Sequence, residues 1–182
     1  MGRETSLKVL FQQWLLAHKF RKDPQFTYED KNFLNRHLSD WERVLFDQMD
    51  YIDQRHAFGV ARTVLNDPRI QNQAEKEILI KAALLHDIGK IRGDFTINQR
   101  VLVKISKLFP SWHKRLFKAG KRSESGNLAR AVYVQAIHPQ RGAYMLLISG
   151  VDEAVVELVR NHHNSISRTR LERCLKTADA VN

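Results

Sequence analysis

Apolar residues recur at spacings of three and four along most of this chain, which is the pattern of helices that bury one face. The clearest run begins near Asp30 and contains Phe33, Leu34, Leu38, Trp41, Val44, Leu45, Met49 and Ile52. No stretch shows the strict alternation that is typical of a half-buried strand. The sequence therefore predicts an all-α protein built as a helical bundle.

Capping and helix-breaking residues give the expected helix boundaries. A first helix can begin at Thr5 or Ser6. The run from Asp30 should continue, or kink, until the chain reaches Pro68. We expect Gly89 to follow the next helix in a left-handed conformation. Including that one, further helices are expected over residues 74–86, 133–149, 151–164 and 169–182.

The length and the cysteine content limit the class of protein. A chain of 182 residues fits one domain, so we expect a single domain over 1–182, with N-terminal helices over 1–50. No apolar run approaches the roughly 18 residues of a membrane-spanning helix, and the N-terminus lacks a signal-peptide core. The single cysteine, Cys174, excludes an intrachain disulfide and is expected in the core. These features favour a cytoplasmic protein, with peripheral membrane association as an option.

An adjacent imidazole and carboxylate, His86 and Asp87, lie in the run Leu84-Leu85-His86-Asp87-Ile88-Gly89-Lys90. Such a pair can bind one metal ion together, and the carboxylate can bridge to a second ion. Nitrogen and carboxylate ligands suit Fe, Mn, Zn, Ni or Co better than Mg or Ca. Other candidate ligands are far apart in the sequence and would have to converge by folding: His56, His138, His162, His163 and Asp179.

This order of residues resembles the HD superfamily of metal-dependent phosphohydrolases, in which the ligands come from different helices of an all-α bundle. The segments 86–90 (HDIGK), 138–143 (HPQRGA) and 161–163 (NHH) are similar to the HDIG-type subgroup with added histidines. That subgroup includes bacterial cyclic-dinucleotide phosphodiesterases and a diadenosine tetraphosphatase type. The resemblance covers roughly residues 50–182, with a break near 95–130.

The resemblance implies two divalent transition-metal ions, with iron or manganese expected ahead of zinc, nickel or cobalt. The first ion would be held by His56, His86, Asp87 and Asp179. The second would be held by Asp87, His138, His162 and His163. Adjacent helical residues point about 100° apart, so His163 could instead support a ligand without binding the ion itself.

The resemblance also implies a reaction. A hydroxide held between two ions would attack a phosphoester, and further cations would stabilise the developing charge. We therefore name Asp87, Lys90 and Arg141 as catalytic candidates. The expected substrate is a nucleotide, a dinucleotide or another small phosphorylated molecule. The alternative is a sensor module, associated with a membrane or a nucleic acid, that binds a phosphorylated ligand without turnover.

Two departures from the multi-histidine relatives limit the substrate. Residues 164–170 (NSISRTR) lack the Gly-Tyr-Pro element of the cyclic di-GMP phosphodiesterases. Ile52 stands one helical turn before His56, where some of those enzymes carry a glutamate that supports a third metal. Both departures argue against a trimetal cyclic di-GMP enzyme and favour two metals.

The positive charge is concentrated in a predicted insertion over residues 95–130. The whole chain has a net charge of +10. Nine basic residues and the single acid Glu124 give the insertion +8. The nine are Arg100, Lys104, Lys107, Lys114, Arg115, Lys118, Lys121, Arg122 and Arg130.

Large apolar residues alternate with these charges over 100–122, and Pro110 divides the segment into two short amphipathic helices. Three roles stay open, in decreasing order of expectation. The segment could be a lid that attracts a phosphorylated substrate, an element that lies on an anionic membrane surface, or a nucleic-acid contact. The sequence leaves the oligomeric state open.

Overall fold

The computed structural model describes residues 26–124 and 126–182. Within these ranges the chain forms nine α-helices and no β-strand, which confirms the all-α prediction. The helix predicted to begin at Thr5 or Ser6 lies outside the described residues. The helices are α1 (Tyr28–His37), α2 (Asp40–Asp47), α3 (Tyr51–Leu65), α4 (Gln73–Leu85), α5 (Ile97–Ser106), α6 (Pro110–Gly120), α7 (Leu128–Ile148), α8 (Glu153–Asn161) and α9 (Arg170–Val181).

The chain divides into two compact units. The core unit consists of Phe26–Ile91 and Ile137–Asn182 and contains α1 to α4, the later part of α7, α8 and α9. The described residues of the second unit, which we call the basic unit, are 92–124 and 126–136. They form α5, α6 and the start of α7. None of the helices in the described part of the chain has the length and apolar character needed to cross a membrane.

The long helix expected from Asp30 to Leu65 is three helices, so that prediction was wrong. Ser39 caps α2 with its hydroxyl, which accepts from the Glu42 N–H, while the Glu42 carboxylate accepts from the Ser39 N–H. Asp50 caps α3, and both cap residues have an extended backbone. An N-cap residue has a non-helical backbone, so a helix cannot pass through it. The helix α3 ends before Pro68, as predicted.

Helix α4 is the central helix of the core unit and packs against α3, α8 and α9. The fully buried side chains of its second half occupy more than one face: Leu79, Ile80, Ala82, Ala83, Leu84 and Leu85. A helix that is apolar on most sides belongs in the interior. The residues that follow it, His86 and Asp87, are therefore held inside the unit. Cys174 is buried in the same core, as predicted.

Gly89 does not adopt the left-handed conformation that we expected. The described residues with a positive φ are Gly93, Gly126 and Gly150. Its requirement is steric. A Cβ at position 89 would lie 2.0 Å from the carbonyl oxygen of His138. The absence of a side chain lets the segment after α4 pack directly on α7 at His138.

The basic unit contains the two short helices that Pro110 was predicted to separate, with Pro110 in the first turn of α6. Its small core is formed by Phe95, Val103, Ala131, Val132 and Val134, with Leu116 and Phe117 packed against it. A Cβ at Gly120 would lie 2.1 Å from the carbonyl oxygen of Ala129. The end of α6 therefore meets α7 through a glycine, as the segment after α4 does in the core unit.

Candidate metal centre

All seven predicted metal ligands converge in the core unit. They come from five parts of the fold: α3, the end of α4, α7, the end of α8 and α9. His86, Asp87, His138 and His162 are buried, His56 and Asp179 are partly exposed, and His163 is exposed. In chain order, the seven are His56, His86, Asp87, His138, His162, His163 and Asp179.

One end of this cluster joins His56, His86 and Asp179. The Nε2 atom of His56 lies 2.9 Å from Oδ1 of Asp179. The Nε2 atom of His86 lies 3.6 Å from the same oxygen. Each residue offers one ligand atom, and the three atoms lie within 4.8 Å of one another. The three side chains could therefore hold one ion.

The other end joins His138, His162 and His163. The Nε2 atoms of His138 and His162 are 3.2 Å apart. The ring centroid of His163 is 4.2 Å from that of His162 and 5.0 Å from that of His138. These residues form a second group with ligand atoms within 4.8 Å. The structure thus brings both members of the 162/163 pair to the cluster.

Asp87 lies between the two ends and presents a different oxygen to each. Its Oδ2 is 3.5 Å from Nε2 of His86, and its Oδ1 is 3.2 Å from Nε2 of His138. His86, Asp87 and His162 form a third group with ligand atoms within 4.8 Å. The three groups overlap, so the cluster is continuous, with one carboxylate in its middle.

His86 and His162 are each oriented by a hydrogen bond to a backbone carbonyl of the preceding helical turn. Each is the C-cap residue of its helix, α4 or α8. The Nδ1 atom of His86 donates to the carbonyl of Ala83 at 2.8 Å, and Nδ1 of His162 donates to that of Val159 at 2.6 Å. A carbonyl only accepts, so Nδ1 carries a proton and Nε2 faces the cluster. We did not predict these hydrogen bonds, although a histidine just past the last helical turn indicates them.

The local field keeps both carboxylates ionised. Burial alone would raise the pKa of Asp87, but Lys90, His86 and His138 outweigh it and hold that pKa well below its usual value. Burial likewise opposes ionisation of Asp179, and the hydrogen-bonded His56 and the nearby His86 lower its pKa despite it. Both side chains therefore offer charged oxygen ligands.

The histidines divide into two kinds. Burial, reinforced by His86 and His138, lowers the pKa of His162 well below its usual value. Partial burial and His138 lower that of His163 to about 4. Burial also opposes the charge on His86, but Asp87 and Asp179 outweigh it and raise its pKa to about 9. At neutral pH, His162 and His163 are ready to bind a metal, whereas His86 must first lose a proton.

Two atoms at the centre of the cluster test whether a metal fits. Nε2 of His86 and Oδ1 of Asp87 are buried and have no hydrogen-bond partner. A buried polar atom without a partner costs roughly 1–3 kcal/mol, and natural proteins contain few of them. Divalent ions bound in the cluster would satisfy both atoms, and a nitrogen-rich set with carboxylates suits a transition metal. The residues present therefore fit the predicted ions.

The two predicted cationic residues differ in their placement. Lys90 is 9% exposed, and its Nζ donates to Oδ2 of Asp87 at 2.7 Å. It therefore faces the cluster and is not a surface lysine. Arg141 lies on α7 one turn after His138, and its side chain is half-buried. Its role at the site stays a prediction.

The family model described as HD domain matches residues 51–182 of the chain. All seven predicted ligands, together with Lys90 and Arg141, lie inside the matched range. No curated protein and no solved structure matches the chain.

Proposed function

We propose that this chain, which belongs to the HD domain family, is a phosphohydrolase that uses two divalent metal ions. Members of this family are generally metal-dependent hydrolases. The observation that carries the proposal is a chain of three ligand groups in which His86 and His162 each belong to two groups and Asp87 lies between them. One ion at one end of the cluster would leave the three histidines at the other end without a metal, although they form a ligand group of their own. The proposed substrate is a nucleotide, a dinucleotide or another small phosphoester.

The geometry supports one assignment of ligands. We assign one ion to His56, His86 and Asp179, and the other to His138, His162 and His163. Asp87 would bind both, since its two oxygens face opposite ends of the cluster. Iron and manganese are the proposed metals, because five imidazoles are poor ligands for magnesium or calcium.

Two such ions supply a hydroxide nucleophile at neutral pH and positive charge that stabilises the phosphoryl oxygens. The protein side chains would do the rest. The backbone acceptors of His86 and His162 fix the direction of both rings before substrate arrives. Lys90 places a buried positive charge beside Asp87 and would act on a bound phosphoryl group. Arg141 would contact the phosphate as a second cation.

The test begins with metal analysis of protein purified without chelators. We expect about two ions per chain. The protein loaded with Mn²⁺ or Fe²⁺ is then assayed against a panel of nucleotides, dinucleotides and simple phosphomonoesters. A ratio near one would contradict the dinuclear assignment. The absence of turnover across the whole panel by fully loaded protein would contradict the hydrolase proposal.

Histidine variants provide matched controls. His86→Ala should lose both metal and turnover, because it removes a ligand shared by two groups. His113→Ala and His37→Ala should keep both, since neither residue belongs to the cluster. His37 is bound instead to Glu77 at 2.7 Å. Equal loss in the control variants would show that the effect comes from folding and not from the site.

The alternative of a binding module without turnover is favoured by one observation, the positive charge of residues 95–130. The same panel distinguishes the two functions. A binding module would show metal-dependent affinity for a phosphorylated compound by calorimetry and release no phosphate or nucleotide product. A hydrolase would release product in proportion to its metal content.

A further inference from the structure

The turn between α5 and α6 and the start of α6 expose three large apolar side chains. Leu108 is 55% exposed, Phe109 58% and Trp112 38%. The rings of Phe109 and Trp112 pack edge to face, with centroids 6.4 Å apart. We call these three residues the α5–α6 corner. Single exposed apolar residues are common on proteins, but a cluster that includes two aromatic rings is typical of an interaction site.

Among the described residues of the basic unit, the three corner side chains do not belong to the small apolar core. Helix α6 already buries its apolar side through Leu116 and Phe117, which pack against the small core around Phe95 and Val103. The apolar residues of the corner remain in addition to that core. We therefore expect these exposed side chains to contact a partner that has an apolar surface or interior.

Exposed basic residues flank the corner in the sequence. Lys107 lies in the turn, and Lys114, Arg115 and Lys118 follow along α6 with exposed side chains. Within the described part of the chain, no ion pair involves any of these four residues. The first acid after residue 95 is Glu124. The partner must therefore be negatively charged as well as apolar.

We propose that the α5–α6 corner binds the surface of a lipid bilayer that contains anionic lipids. Leu108, Phe109 and Trp112 would enter the boundary between headgroups and acyl chains, where aromatic rings are favoured. The flanking lysine and arginine side chains would contact anionic headgroups. A nucleic acid would satisfy the charges and could stack on the rings, but it offers no apolar phase for Leu108.

Vesicle co-sedimentation of the full chain tests this surface directly. We expect binding to vesicles of phosphatidylcholine with phosphatidylglycerol and little binding to phosphatidylcholine alone. Each basic residue near a charged surface contributes about 1 kcal/mol, which corresponds to roughly fivefold in affinity. Lys107→Gln combined with Lys114→Gln should therefore weaken binding by roughly 25-fold at low salt. Raising the salt concentration should weaken wild-type binding in the same direction.

Tryptophan fluorescence reports on insertion at the corner itself. Trp14→Phe and Trp41→Phe leave Trp112 as the single tryptophan. Its emission should shift to shorter wavelength on anionic vesicles and stay unchanged on neutral ones. The absence of a shift despite co-sedimentation would overturn the proposed insertion.

The chain offers matched controls for both kinds of contact. Trp41 on α2 is 58% exposed, as is Phe109. Phe109→Ser should lower vesicle affinity several-fold, whereas Trp41→Ser should not. Lys31→Gln with Arg36→Gln removes two exposed charges from α1 and should leave binding unchanged. Equal effects in the control and corner variants would overturn the proposal, since the contact would then be spread over the surface.

Competition with a single-stranded oligonucleotide separates the two classes of anionic partner. If the corner is a membrane site, binding to anionic vesicles should persist at oligonucleotide concentrations equal to the lipid phosphate. Complete displacement, together with a tighter complex with the oligonucleotide than with vesicles, would overturn the proposal in favour of nucleic-acid binding. None of these measurements depends on metal content or turnover.

Discussion

The metal-ligand cluster and the segment around the α5–α6 corner both contain side chains that can carry positive charge, but the two regions differ in how they expose it. The cluster buries four of its seven members, and two of its histidines have pKa values lowered by their surroundings. Lys107, Lys114 and Arg115, which flank the corner in the sequence, are exposed to water. A buried nitrogen needs a partner within bonding distance, whereas an exposed ammonium is already solvated. Burial, more than residue type, therefore separates a site for a cation from a surface for an anion.

The largest expected loss of turnover comes from substitution of Asp87, the buried carboxylate at the centre of the cluster. Asp87→Asn keeps the size of the side chain but removes its charge and one oxygen. We expect turnover to fall by at least about a thousandfold, which corresponds to about 4 kcal/mol of transition-state stabilisation. Metal content should fall as well, as measured by elemental analysis of the purified variant.

Asp67→Asn is the matched control for this prediction. Asp67 lies in the core unit, and its pKa is lowered to about 2, mainly by a hydrogen bond from Arg69. It is outside the cluster, so its loss should leave metal content and turnover unchanged. If both asparagine variants lost activity to a similar degree, the special role of Asp87 would be disproved.

Metal removal should affect the core unit strongly. The ligands come from five parts of the fold, so an ion bound only by the folded chain stabilises all of them together. At a free concentration 1,000-fold above Kd, such binding adds about 4 kcal/mol, or about 8–16 °C in Tm for a chain of this size. Differential scanning calorimetry before and after chelation measures the change, and added Mn²⁺ should reverse it. An unchanged Tm in protein shown to lose its metal would contradict the proposed site.

The two close-approach glycines extend the comparison to packing. Gly89→Ala would place a Cβ 2.0 Å from the His138 carbonyl, and Gly120→Ala would place one 2.1 Å from that of Ala129. Each should cost about 1–3 kcal/mol, since neither backbone can yield easily. Only Gly89→Ala should also weaken metal binding, because it displaces a predicted ligand. Titration of both chelated variants with Mn²⁺ checks this, and equal affinities would show that the cluster tolerates movement of α7.

Much of the fold follows from the sequence, and the exceptions have physical reasons. Apolar spacing predicts the helices, and Pro68 and Pro110 predict an end and a beginning correctly. The same spacing does not reveal the helix breaks at Ser39 and Asp50, because the apolar pattern continues across these residues although the helical backbone does not. The capping box of Ser39 and Glu42 was present in the sequence and would have shown the first break.

The residues of the candidate site could be named from the sequence, but their arrangement could not. The order of histidines and aspartates predicted which side chains would meet. Nothing in that order shows that Asp87 presents one oxygen to His86 and the other to His138, because this depends on how α4 and α7 pack. The structural reason for Gly89 was also hidden, since the chain segment that it contacts is far away in sequence.

The last expected effect is a pH dependence of metal affinity, by about tenfold per pH unit. In metal-free protein the pKa of His86 is about 9, and a metal binds only the deprotonated ring. Affinity for Mn²⁺ should therefore rise with pH up to about 9 and then become constant. The free energy of unfolding of the metal-free protein should instead fall as the pH rises. The raised pKa of His86 adds to the free energy of unfolding, and this addition is complete below the unfolded-state pKa of about 6.5. It is lost as the pH rises through about 9. Vesicle binding at the corner, which involves lysine and arginine charges, should stay flat over the same range. A metal affinity that is also flat between pH 6.5 and 9, measured by calorimetry, would show that metal binding does not displace a proton from His86 in this range.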